Sequence, residues 1–220
     1  MAHTLTSISA VALALASLGP IAAHAAPDAA AHAAPDTGLV ASAELGGGIS
    51  NVVAHASGLD SVTLSGVASS IRLGVGAHRD RLDFGVTGGA LRAWDTQSST
   101  ASVFQRPEEF LLLSIGPFVG YRPARDLPLT LGARLELARG QMTGATAVAN
   151  LGVFPGPGRP AIDFFQPGNG VLGAARADYA LEGRYGAATF GLEVGGGWLS
   201  GGGNTLSVVT ATAGVGYRWR

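Results

Sequence analysis

The chain has 220 residues, 14 basic against 15 acidic, for a formal net charge of −1. That length suits one domain of ordinary size, and the charge balance excludes a basic nucleic-acid surface. Charged residues make up 13% and hydrophobic residues 47%, with 34 glycines, a mix too apolar for disorder and too glycine-rich for a helical bundle. No cysteine is present and every basic residue is arginine. Disulfides, thiolate metal sites, cysteine nucleophiles, Schiff bases and a P-loop lysine are therefore excluded.

In chain order, residues 8–23 form an apolar stretch broken by Pro20 and followed by the small-x-small run Ala23-His24-Ala25. This predicts a secretory signal peptide over residues 1–25. The stretch falls short of the roughly 20 residues of a membrane-spanning helix. Ahead of it stands only His3 in place of Lys or Arg, which leaves the start codon open. His24-Ala-Ala-Pro-Asp28 then repeats as His32-Ala-Ala-Pro-Asp36. Residues 26–37 have nothing to bury and read as a flexible Ala/Pro tether, with the two histidines a duplication rather than a metal pair. The rest of the chain, 38–220, is one β domain.

From Leu39 onward apolar residues alternate with period 2, the mark of strands. Leu129-Thr-Leu131-Gly-Ala133-Arg-Leu135-Glu-Leu137 shows it best, with Leu and Ala on one face and Thr130, Gly132, Arg134 and Glu136 on the other. Eight segments read this way: 39–50, 65–78, 81–94, 109–122, 128–142, 171–185, 187–199 and 205–219. Arg79-Asp80, 123–127 and Gly186 read as tight turns. The links 51–64, 95–108 and 143–170 are long, and Gly201-Gly-Gly-Asn204 is the short one at their end. Turns and loops therefore collect at opposite ends, as in up-and-down membrane barrels.

Period 2 leaves open which face is inside. Three features favour a charged lumen and an apolar exterior. The charged face is too sparse to solvate a soluble surface. Aromatic residues stand at the strand ends of the apolar face: Trp94 and Trp198 at the loop end, Phe84, Tyr121, Tyr185, Tyr217 and Trp219 at the turn end, a pair of interfacial girdles. The polar face is electrically matched, Arg72, Arg122, Arg134, Arg176, Arg184 and Arg218 against Glu44, Asp83, Glu136, Asp178, Glu182 and Glu193. Such a match suits an enclosed space where an unpaired charge is costly.

Gly116-Pro-Phe-Val-Gly-Tyr-Arg122 and Gly214-Val-Gly-Tyr-Arg-Trp219 resemble strand ends of the small eight-stranded outer-membrane barrels of the OmpA and OmpX type. The resemblance covers roughly residues 38–220. It implies an antiparallel up-and-down transmembrane barrel in the outer membrane of a Gram-negative cell. Its implied partners are outer-membrane lipid, lipopolysaccharide and the barrel-assembly machinery, which in that family reads a closing strand; Val215, Tyr217 and Trp219 match its alternation, with Arg220 after the aromatic.

His55-Ala-Ser57 with Asp60 superficially resembles the His-x-Ser of lipid A deacylases, though that family places the motif late in the chain with a Glu following. A polar external loop is the plainer reading, and His78 reads as a solvated residue at the rim. No metal-ligand spacing is found, and the glycine runs precede no helix, so no cofactor is expected. Phe154, Phe164 and Phe165 in the loop 143–170 make it a candidate surface for a partner. The expected function is structural or surface-interacting, non-enzymatic, with a lumen filled by Arg/carboxylate pairs. A narrow passive pore, a lipid A-modifying enzyme and a soluble lipocalin-like binder stay open as alternatives.

Overall fold

The computed structural model describes residues 37–56, 61–96, 105–124, 127–146, 161–163 and 167–219. The signal-peptide segment, the tether up to Asp36, and the loop residues Ser57, Asp60, Phe154, Phe164 and Phe165 lie outside them, while Thr37, read as the tether's last residue, opens the first strand. Every long element is a strand: β1 (Thr37–Ala56), β2 (Val62–Arg79), β3 (Leu82–Asp95), β4 (Gln105–Tyr121), β5 (Leu129–Thr146), a three-residue β6 (Ala161–Asp163), β7 (Gly168–Gly183), β8 (Gly186–Gly201) and β9 (Asn204–Trp219). Sequential neighbours pair antiparallel, β6 only on the end of β5, and pairing of β1 with β9 closes the sheet. The result is an eight-stranded antiparallel barrel.

The register fixes its shape. Pairs followed around the barrel run from Glu44 through Arg72, Gly89, Ser114, Ala138, Gly170, Leu199 and Leu206 back to β1 at Ala54. Arrival ten residues from the start tilts the strands by roughly 40° at ordinary strand spacings. Two-residue turns join β2 to β3, β7 to β8 and β8 to β9. In the last, Gly202 and Gly203 both have positive φ, 58° and 81°, the backbone a tight hairpin favours and one that only glycine adopts without strain. Pro117 interrupts one seam: the β4–β5 ladder passes from Ile115↔Leu137 to Phe118↔Arg134 without pairing Gly116 or Pro117, as expected for a residue with no N–H.

The strands are longer than the sequence reading has them, chiefly at the loop end. Residues 51–56 and 62–64, read as loop, belong to β1 and β2, and 105–108 and 143–146 to β4 and β5. On β1 and β2 the outward Asn51, His55 and Thr63 are polar, so the apolar alternation fades while the backbone ladder, indifferent to side chains, continues. His55 accordingly sits on β1 opposite Thr205, not in an external loop.

Candidate functional site: a lumen of two halves

Alternate residues of each strand point outward. At the turn end and the middle these are Leu39, Leu45, Leu73, Val75, Phe84, Leu113, Ile115, Leu135, Leu137, Leu192 and Val194, all exposed. An apolar exterior of this kind, unpartnered and continuous around a closed barrel, is a lipid-facing surface. Of the girdle residues, Phe84, Tyr121, Tyr185 and Trp219 are exposed at the turn end, where Tyr217 packs 5.1 Å from Trp219. Trp198, 71% exposed, marks the loop end, and Trp94 there lies under the guanidinium of Arg92 at 5.1 Å. Two outward aromatics the sequence reading omits, Tyr179 and Phe190, face each other across β7 and β8.

The turn-end half of the lumen is charged. Arg72 on β2 reaches Glu136 on β5. Arg134 on β5 forks onto Glu193 on β8 and lies 3.2 Å from Glu136 through Nε. Arg176 on β7 meets Glu44 on β1 and its own neighbour Asp178 at 2.6 Å. Arg218 on β9 donates to Asp83 on β3 at 2.9 Å. Three of these contacts link strands three places apart around the barrel, so the pairs cross the interior. Long arginine stems make that reach, and glycine leaves the space. A Cβ on Gly191 would collide with the Arg176 guanidinium and the Asp178 carboxylate.

Of the twelve charges assigned to the lumen, these nine come together inside. Arg122 and Glu182 approach only to 3.7 Å at the rim. Arg184 is displaced: it lies in the β7–β8 turn, exposed, over the Tyr185 ring at 5.3 Å, because the strand ends one residue before it. His78 is likewise not a solvated rim residue. Register places it directly opposite Asp83, and its Nδ1 lies 2.6 Å from that carboxylate, which also holds Arg218. A cavity of about 100 Å³ remains among these groups, with Thr87, Phe118, Thr130 and Thr189 in its wall. Deeper in, Glu136 Oε2 has no hydrogen-bond partner among the described residues. A cavity of about 20 Å³ beside it, near Ser114 and Thr210, has room for one water.

The loop-end half is the reverse. Inward residues Val52, Ala54, Leu64, Leu91, Ala93, Phe110, Leu112, Met142, Leu172, Leu199, Leu206 and Val208 form one buried apolar cluster, several with no exposed surface at all. A Cβ on Gly140 would strike the Phe110 ring and Leu199, so the packing extends to the backbone. Outside, beside this cluster, exposed apolar side chains (Val67, Leu111, Val171 and Val209) give way to polar pairs toward the strand tips: Asn51 donates to Ser65 at 2.9 Å, and Arg92 forks onto Glu109 at 2.5 and 2.9 Å. The sequence reading has no such cluster, although its signal was present. Val52, Leu91, Leu206 and Val208 share strand parity with Glu44, Asp83 and Arg218, so the polar face turns apolar toward the loops.

No family model matches the chain, and no curated protein matches its sequence. Among solved structures it is similar to the neisserial surface protein A, at 19% identity over 83% of this chain and 97% of that one, with a TM-score of 0.46. It is also similar to the attachment invasion locus protein Ail of Yersinia pestis, at 10% identity over 81% and 99%, with a TM-score of 0.46. A third is the N-terminal barrel domain of Pseudomonas aeruginosa OprF, at 11% identity over 81% and 97%, with a TM-score of 0.43.

Proposed function

We propose that the chain is an integral outer-membrane β-barrel whose task is structural or carried by its exposed loop end, and not transport or catalysis. The observation behind this reading is the apolar cluster around Phe110, Met142, Leu64, Leu199 and Leu206, which fills the loop-end half of the lumen. A polar solute entering from the turn end meets a charged vestibule and then a packed hydrocarbon wall. Desolvating an ion there is prohibitive. Eight strands leave an interior that side chains can fill, and here they fill it twice, with ion pairs below and hydrocarbon above. The signal peptide that the sequence predicts over 1–25 would supply export, and the lipid-facing exterior fits insertion. Lipopolysaccharide and the barrel-assembly machinery are the partners such a location supplies, and the segment within 143–170 is the proposed contact surface for others.

Membrane fractionation followed by heated and unheated gel migration tests the location. Heat-modifiable mobility in the outer-membrane fraction is the expected result. Planar-bilayer recording tests the closed lumen, with very small or no conductance expected. Stable openings the size of a general porin's would establish the pore alternative. Tags inserted within 97–104 or 147–160 should be labelled on intact cells, and tags at the Asp80 turn should not.

A further inference from the structure

Among the residues whose side chains are described, the two rims of the barrel differ in charge. At the turn end Arg79, Arg81 and Arg184 are exposed, against Asp80 and Glu182, and Arg122 lies in the remaining turn beside Glu182 at 3.7 Å. Every described turn at this end thus carries arginine. At the loop end the exposed cations Arg92 and Arg139 stand against Glu108, Glu109 and Asp95, and Arg92 is tied to Glu109. The turn-end arginines are also held in place. Arg81 Nη1 donates to the Pro123 carbonyl at 3.0 Å, while its own carbonyl accepts from Arg122 N at 2.8 Å. Arg184 rests on Tyr185.

These arginines do not form one pocket. The β2–β3 and β7–β8 turns lie on opposite sides of the barrel, with the β4–β5 turn between them. What a ring of cations meets on all sides at once is a planar surface. Immediately inside the ring stand Phe84, Tyr121, Tyr185, Tyr217 and Trp219, residues that settle at headgroup depth. The guanidiniums therefore lie at the level of lipid phosphates, and arginine matches phosphate in a fork.

We propose that the turn-end rim is an anionic-phospholipid collar, which engages phosphatidylglycerol-type headgroups of the leaflet on that side. The inference rests on the membrane reading above and adds a lipid preference to it. An arginine near an anionic surface contributes about 1 kcal/mol, or about fivefold. Three of them should therefore shift the folding equilibrium by more than tenfold.

The test refolds the full chain from urea into vesicles of phosphatidylcholine alone or mixed with phosphatidylglycerol, at low and high salt. The folded fraction is read by heat-modifiable migration. The wild type should gain at least tenfold from phosphatidylglycerol at low salt and lose most of that gain at high salt, as screened charges do. The Arg79→Gln, Arg81→Gln, Arg184→Gln triple variant should fold as well as wild type in phosphatidylcholine and show little gain. The matching triple Lys variant should keep it. A wild type with no gain, or a Gln variant with the full gain, overturns the collar. A gain seen only when lipopolysaccharide replaces phosphatidylglycerol assigns the ring to the other leaflet and overturns it too. Failure to fold in either vesicle overturns the membrane reading itself.

Discussion

The two halves of this barrel solve opposite problems with the same strands. Toward the turns the outside is Leu, Ile, Val and aromatic residues and the inside is arginine and carboxylate. Toward the loops polar Asn51, Ser65, Arg92 and Glu109 stand outside among exposed Val67, Leu111 and Val209, and the inside is Phe110, Met142 and leucine. The first arrangement suits lipid outside and an enclosed polar interior. The second is that of an ordinary water-soluble domain. Polarity therefore inverts along the axis, near Trp94 and Trp198. A membrane strand needs only about 9–11 residues, while these have 14 to 20, so each is longer than a crossing requires. The lesson is that strand parity sets which side a residue faces, while its height along the axis sets what that side must be made of.

Substitutions in both halves probe this contrast. The largest effect falls on the apolar half: Phe110→Ala removes the centre of the cluster and should cost about 3–5 kcal/mol. Bilayer recording should show whether the cavity it leaves admits ions, since conductance rises only if that cluster is the seal. Next, Leu135→Arg puts a charge on the lipid-facing surface and should cost about 2–4 kcal/mol in vesicle unfolding. Ser200→Arg, outward but at the loop end, should stay within about 0.5 kcal/mol, as ordinary surface changes do. Equal penalties at the two sites would erase the inversion.

In the charged half, Glu193→Gln leaves Arg134 short of its forked partner and should cost about 1–3 kcal/mol. The Arg134→Gln, Glu193→Gln double variant should recover most of it, because a buried pair replaced whole is close to neutral. A double variant that costs the sum of its two single changes would mean that the two act separately. The smallest effect is at the interrupted seam. Pro117→Val restores a backbone donor to the β4–β5 ladder and should stabilise the barrel by about 0.5–1.5 kcal/mol, visible as a higher urea midpoint.

Much of this architecture is legible in the sequence. Alternation in Leu129–Leu137 gives β5 its faces, and the turn-end strand limits are read to within a few residues. Arginines and acids of equal number on one parity foreshadow a charged interior. What the alternation hides is pairing at a distance. Arg134 and Glu136 look like partners because they are neighbours on one face, yet Arg134 forks onto Glu193, two strands away, and Glu136 belongs chiefly to Arg72. Only the shear of the closed barrel decides which residues of distant strands stand at one height. His78 shows the same limit at short range: a register fixed by the Asp80–Arg81 turn, and no feature of its own, places it against Asp83. The tips of β1 and β2 escape notice because Asn51, His55 and Thr63 put polar residues on the outward face, a pattern that also marks loops.

The β1–β9 seam has a consequence in time. It pairs residues 41–56 with residues 204–219, so the last ladder to form joins segments more than a hundred and forty residues apart. Contacts so distant in sequence form slowly, because the loop entropy is lost before the contact rewards it. Until they form, the sheet of hairpins has two bare edges, and an edge left open will take any strand it meets. The chain must therefore reach its membrane unpaired or guarded, and its closing strand is the step at which assembly either completes the cylinder or turns to aggregation.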